Sequence, residues 1–176
     1  MPASGIFLID MVLGYLASGL LIATYVWPRL RGMDRVKAHR GIATFNSFRF
    51  FGLVFLLPGF VGPNLPAAWA SAAAYGDLAT ALLAILALLT LRVRFLFWSF
   101  VWAFNLVGLG DRVMDTARAA SMGLPSMAGQ LGAAYAIPIL YVPALFWIHL
   151  VALWMLVRPA RAAGRAVNGS MMLATE

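Results

Sequence analysis

The sequence predicts an all-α fold: a bundle of five transmembrane helices, N-terminus outside and C-terminus cytoplasmic. Three observations carry this expectation. Composition is the first. Of 176 residues, 63% are hydrophobic and 11% charged, with a mean hydropathy of +0.88. Soluble domains carry roughly 25% charged residues, and this composition leaves too little polar surface to clothe an apolar chain of such length in water. Spacing is the second: apolar runs of ~20 residues, each sufficient for ~30 Å of hydrocarbon, recur between short breaks. The placement of charge is the third. Arg29, Arg31, Arg35, Lys37 and Arg40 fill the first break, Arg92 and Arg94 the third, and Arg158, Arg161 and Arg165 follow the last run. The second break, 62–66, carries no charge and the fourth carries only Arg118. Basic connections on alternate sides set the orientation through the positive-inside rule.

Helix 1 is expected over about residues 6–27, stopped by Pro28. It has no basic leader, contains Asp10, and exceeds the roughly 7–15 apolar residues of a signal core, so it reads as a retained span. Helix 2, about 42–61, closes on Pro58, Gly62, Pro63 and Pro66. Helix 3, about 67–91, repeats small residues every fourth position (Ala68, Ala72, Gly76, Thr80, Ala84), which lets a neighbouring backbone approach. Helix 4, about 95–117, gathers Asn105, Gly108, Asp111, Arg112 and Asp115 within an arc of about 120°. Phe100, Val101, Phe104 and Val107 form its opposite face, suited to lipid or packing. A connection over 118–131 leads to helix 5, about 133–157, where Pro138 and Pro143 free the carbonyls of Ala134 and Ile139. Residues 158–176 form a basic cytoplasmic tail. No segment alternates with period two as a barrel strand must, and no linker divides the single transmembrane domain, 1–176. A short echo joins Thr44-Phe-Asn-Ser-Phe-Arg-Phe-Phe-Gly52 to Ala103-Phe-Asn-Leu-Val-Gly108.

Polar side chains inside hydrocarbon are expensive and mark the candidate site. At ~1.5 Å per residue, Arg49 lies about 10 Å from the inner boundary and His149 about 12 Å. Asn105, Asp77 and Asp111 follow at about 15, 21 and 24 Å. Turned inward, these five residues from four helices form one polar core, the candidate ligand-binding site. Arg49 is expected to pair with Asp77 or Asp111, or instead to hold the carboxylate or phosphate of an amphiphile, since its fork suits planar anions. Arg112 and Asp115, closer to the outer interface, are expected to be solvated or snorkelling. His149 is expected either to bond a carbonyl freed by Pro143 or to ligate a haem iron or chlorophyll magnesium axially.

Other chemistry is missing. The chain has no cysteine and two histidines, so no thiolate cage, disulfide framework or multi-histidine metal site is expected. No Gly-rich phosphate loop follows a strand, and no Ser sits in a nucleophile elbow. The cofactor is unknown. The net charge of +7 does not point to nucleic acid. Its excess lies beside apolar runs, where Arg29–Arg40 meets anionic lipid headgroups of the bilayer.

The segments Phe48-Arg-Phe-Phe-Gly52, Gly76-Asp77, Asn105-Leu-Val-Gly-Leu-Gly-Asp111 and Pro138…Pro143…His149 resemble an uncharacterised group of small bacterial multi-pass membrane proteins. The resemblance covers about residues 45–155 and departs at Arg112, where the group is apolar. It implies a bacterial cytoplasmic (inner) membrane protein and no particular activity. The five-helix plan is also similar to the tryptophan-rich sensory proteins, whose Trp/Pro signatures are absent.

Three function classes fit these residues. The first is a non-catalytic subunit of a membrane complex, or a binder of a small amphiphile or pigment. A small transporter acting as a homo-oligomer is the second. The third is an intramembrane enzyme on a lipid or isoprenoid, with Asp77, Asp111 and His149 as acid–base groups. Lack of catalytic motifs and a faint repeat favour the first.

The orientation is directly testable, because the native chain has no cysteine. Single cysteines at Ser4, Asn64 and Ser126 should react with an impermeant thiol reagent added outside cells. A cysteine at Ser170 should react only after permeabilisation; the reverse pattern would invert the topology.

Overall fold

The structure, a computed structural model, describes residues 1–158. The described residues are helical with no strand, and most of the basic tail, including Arg161 and Arg165, lies outside them. Among the described residues three helices are long and apolar enough to cross a membrane: Ala3–Gly32, Ala67–Leu89 and Ile137–Val157.

Helix α1 runs Ala3–Gly32. It does not stop at Pro28 as the sequence suggests. A π turn over Ile22–Val26 shifts the hydrogen-bond register, and Pro28 then falls in the first turn of the following stretch Trp27–Gly32. There its missing N–H is not needed. Only Met33 and Asp34 separate α1 from α2, which begins at Arg35. The basic break is therefore helical for most of its length. Asp34 sets the start by accepting hydrogen bonds from the Val36 and Lys37 amides at 2.9 and 3.3 Å, an aspartate N-cap.

Helix α2 is α-helical over Arg35–Ser47 and tightens to a 3-10 helix over Phe48–Leu56. It ends earlier than the sequence suggests, with Gly59 at φ 78° in the turn beyond. The tightening has a structural use. At three residues per turn, positions 49, 52 and 55 line up, and Arg49, Gly52 and Phe55 are the buried residues of this stretch.

Helix α3 spans Ala67–Leu89 and α4 spans Arg94–Ser121, a turn beyond expectation. The small face of α3 is present but rotated: Ala70, Ala73, Ala74, Ala81, Ala84 and Ala87 are buried, whereas Ala68 is exposed. Residues 118–131 do not form a solvent loop. After Gly123, at φ 69°, a 3-10 segment over Leu124–Tyr135, broken by non-helical backbone at Met127 and Gly132, buries Leu124, Ala128, Leu131 and Ala134. That spacing of three to four was visible in the sequence. Its Gln130 carbonyl accepts from the Gly62 amide at 2.7 Å, and its side-chain oxygen accepts from the Asn64 amide at 3.2 Å. The 3-10 segment thereby closes one end of the bundle.

Helix α5, Ile137–Val157, opens with a π turn over Ile137–Tyr141 next to Pro138 and Pro143. The carbonyl of Ile139, freed by Pro143, points at Gly14 of α1, where any Cβ would collide with it. Trp147 Nε1 donates to the Tyr15 carbonyl at 2.9 Å beside this contact. α3 is central, packed against α4 and both halves of α2, while α1 leans on α5 and the 3-10 segment. Two apolar clusters fill the interior. One, at the basic end, includes Ile42, Ala84, Phe97, Val101, Phe104 and Ala152; the other includes Phe55, Trp69, Ala73, Leu124 and Leu131. Val101 and Phe104 are thus packing residues and not a lipid face.

Candidate functional site

Between the two apolar clusters lies a layer of charge. Arg49 is fully buried, and each of its guanidinium nitrogens meets a different helix. Nε donates to Asp77 Oδ1 of α3 at 2.7 Å, Nη2 to Asp111 Oδ2 of α4 at 2.8 Å, and Nη1 to His149 Nε2 of α5 at 3.1 Å. Arg112 supplies the second cation. Its Nη2 donates to Asp77 Oδ1 at 2.9 Å, Asp111 Oδ2 at 2.5 Å and Asp115 Oδ2 at 3.2 Å. Arg49, Asp77, Arg112 and Asp111 therefore form an alternating ring in which each carboxylate oxygen in use is shared by both guanidinium groups.

The ring is tied down at both ends. Toward the basic end, His149 Nδ1–H donates to Asn105 Oδ1 at 2.9 Å, and Asn105 Nδ2 donates to the Val101 carbonyl at 2.7 Å. An arginine can only donate, so His149 Nε2 accepts, and the ring is a neutral Nδ1–H imidazole. Toward the other end, Trp69 Nε1 donates to the Asp115 carbonyl at 3.2 Å, and the half-exposed Arg118 approaches Asp115 Oδ1 at 4.0 Å. Counting charge, the buried layer holds Asp77, Asp111 and Asp115 against Arg49 and Arg112, and Arg118 supplies the third cation.

Three glycines make room for the ring. A Cβ on Gly52 would strike the Asp77 carboxylate, with Cβ and Cγ of that residue 2.7 and 2.8 Å away. One on Gly76 would collide with the Asp111 carboxylate, and one on Gly108 would lie 2.5 Å from Arg49 Nη1 and 2.6 Å from His149 Cε1. Each glycine sits on its own helix, facing the charged group of a neighbour. In the sequence they appear as Arg-x-x-Gly52, Gly76-Asp and Asn-x-x-Gly108.

The structure brings together all five residues singled out from sequence: Arg49, Asp77, Asn105, Asp111 and His149. Arg49 pairs with both aspartates and not with one or the other. Arg112 and Asp115, read as solvated or snorkelling, are corrected: they are 5% and 6% exposed. The signal was on the page, since both share the polar arc of Asn105 and Asp111; depth alone argued against them. His149 bonds no carbonyl freed by Pro143. Both its ring nitrogens are engaged, so axial ligation of an iron or magnesium would require displacing Arg49 or Asn105. The sequence echo has a local counterpart: Asn46, like Asn105, donates to the carbonyl four residues back, at 3.0 Å. Among the described residues no three His, Asp or Glu side chains form a metal cage, because guanidinium groups sit between the carboxylates.

A model of the family described as "Domain of unknown function (DUF8737)" matches residues 6–157. The chain belongs to this family. No curated protein and no solved structure matches it. The matched region contains the whole ring and, except for the first residues of α1, every helix among the described residues.

Two outcomes follow from this geometry, both read by thermal melts in detergent. Removing one partner of a buried pair costs about 3–5 kcal/mol by leaving the other charge uncompensated. Arg49→Leu and Asp77→Leu should each destabilise on that scale, and the double variant should lose clearly less than their sum. Additive losses would show that the pair is not coupled. Gly76→Ala should cost about 1–3 kcal/mol through overpacking. Gly110→Ala is the control: a Cβ there meets nothing within 4 Å, so it should stabilise α4 by about 0.5–1 kcal/mol.

Proposed function

We propose that this protein is a non-catalytic, amphiphile-binding protein of the bacterial cytoplasmic membrane. In this reading it spans the bilayer five times, N-terminus outside, and the charged ring is a clamp that holds α2, α3, α4 and α5 in register. Length supports the two spans that composition alone does not reveal. The α-helical and 3-10 parts of α2, 13 and 9 residues, rise about 37 Å together at ~1.5 and ~2.0 Å per residue. The 28 residues of α4 rise about 42 Å. Both carry charges of the ring or of the basic end, which lowers their hydropathy without shortening them. The Arg-x-x-Gly52, Gly76-Asp, Asn-x-x-Gly108 and Pro/His segments are the natural signature of the family, since they build the ring.

The clamp reading rests on how Arg49 is engaged. Every nitrogen of Arg49 is used internally, and a group committed to neighbours on three helices is not offered to a substrate. The space for a ligand lies elsewhere. An apolar groove runs along the seam between α2 and the pair α1 and α5, in two stretches of about 410 and 470 Å³ that meet at Phe45 and Leu140. This groove is the observation that carries the proposal: an apolar channel facing the bilayer side of a rigidly clamped bundle takes the hydrocarbon part of an amphiphile.

Native mass spectrometry of protein extracted gently from its own membranes tests it. The wild type should carry a bound amphiphile. Leu140→Trp, at an exposed position common to both stretches, should lose it with little change in melting temperature. Equal retention by the variant, or none by the wild type, would refute the reading.

A further inference from the structure

Resting on that reading, we infer that the occupant is an acidic phospholipid, its headgroup at Lys37 and Arg40 and one acyl chain along Gly41, Phe45 and Leu140. The residues that line the basic-end stretch are Ser18, Ile22 and Val26 of α1, Gly41 and Ile42 of α2, and Ala144 of α5, among others. Of these only Ser18 has a polar side chain. Lys37, Gly41 and Phe45 follow one another at four-residue steps, so they stack on one face of α2. Lys37 thus stands one turn beyond the groove's mouth, and Arg40 adjoins Gly41. Both are exposed, and neither forms an ion pair among the described residues. The far stretch, lined by Phe48, Phe51, Ala136 and Ile137 among others, has no basic residue at its end. Charge therefore orients the amphiphile, anionic head at the Lys37 end.

Gly41 is the second observation. It sits inside an α-helix, where glycine costs roughly 0.5–1 kcal/mol relative to alanine. Gly52, Gly76 and Gly108 return that cost as space for the ring. A Cβ on Gly41 meets no protein atom within 4 Å, so packing does not require the glycine. What its missing side chain keeps open is the groove.

The walls point the same way. The π turn Ile22–Val26 presents Ile22 and Val26 to the groove, and the π turn Ile137–Tyr141 presents Leu140 and Tyr141. Single π turns inside α-helices are frequent at functional sites. Tyr141 also bridges the seam, its hydroxyl donating to the Phe45 carbonyl at 3.3 Å and its ring edge-on to Phe45. Size favours an acyl chain, which fits within either stretch, over a helix, which could seat only one face there. A helix ~10 Å across and ~30 Å long displaces on the order of 2,000 Å³, several times either stretch.

The test uses the full chain in nanodiscs containing equal amounts of phosphatidylglycerol and phosphatidylcholine with matched acyl chains, followed by native mass spectrometry. The wild type should retain one phosphatidylglycerol in preference to phosphatidylcholine. Lys37→Gln and Arg40→Gln should each lower that preference about fivefold, the worth of one basic residue near an anionic headgroup. Gly41→Leu, which adds a helix-favouring side chain into open space, should keep or raise the melting temperature while losing both lipids. If the wild type holds both lipids equally, the acidic headgroup is refuted and the groove survives. If Gly41→Leu retains lipid as the wild type does, the groove itself is refuted. A second protein chain retained in place of lipid would overturn the inference as well.

Discussion

A guanidinium buried as fully as that of Arg49 is costly unless paired, and the way this charge is matched organises the bundle. Arg49 alone cannot neutralise both Asp77 and Asp111, so Arg112 enters the same layer and the four groups alternate. Attraction across the ring acts along α2–α3, α2–α4 and α3–α4 at once. His149 adds α5 by accepting a hydrogen bond from Nη1 of Arg49, the nitrogen that no carboxylate reaches. Such a ring has one register. Sliding any helix by a turn would strand a charge, and with ~5.4 Å per turn no side chain could follow. An apolar interface of Ala, Leu and Phe has no comparable penalty, because lipid is as apolar as the neighbouring helix.

The ring also dictates backbone geometry around it. Two guanidinium and three carboxylate groups need volume in a layer where helices are otherwise close, and Gly52, Gly76 and Gly108 provide it. The 3-10 half of α2 answers the same demand. At three residues per turn it holds Arg49, Gly52 and Phe55 in line toward α3, whereas an α-helix would carry Phe55 about 120° of additional rotation away over two steps of three. The small face of α3, centred on Ala73, Asp77, Ala81 and Ala84, lets both α2 and α4 reach the layer.

Holding α2 against α3 and α4 leaves its other side uncovered. α1 and α5 pack on one another through Gly14, Ile139 and Trp147, and residues of their π turns line the seam. Gly41 and Ala144 keep it open. The proposed amphiphile site is thus a consequence of the clamp: a bundle held on one side by ionic bonds does not need to close on the other by side-chain packing. Arg35 offers a fixed point at the seam's basic end. Its Nη2 donates to the carbonyls of Met155 and Leu156 at 2.6 and 3.1 Å, satisfying the last turn of α5.

What the sequence determined by itself was the helical class, the approximate helices, and five members of the polar layer. Apolar runs, proline and glycine breaks and basic clusters are one-dimensional signals, and Arg49, Asp77, Asn105, Asp111 and His149 stood out because hydrocarbon tolerates no idle polar group. Helix ends were less legible. Pro28 looked like a stop, yet a π turn absorbed it; 118–131 looked like a loop, yet Leu124, Ala128 and Leu131 are buried. Only the tertiary structure decided that Arg49 holds two aspartates together, that Arg112 and Asp115 join them, and that the small face of α3 is rotated from Ala68 toward Ala70 and Ala73. Periodicity gives the face of a helix and its depth. It does not give the rotation of that face against four neighbours, and the pairing of charges is settled only when those rotations are solved together.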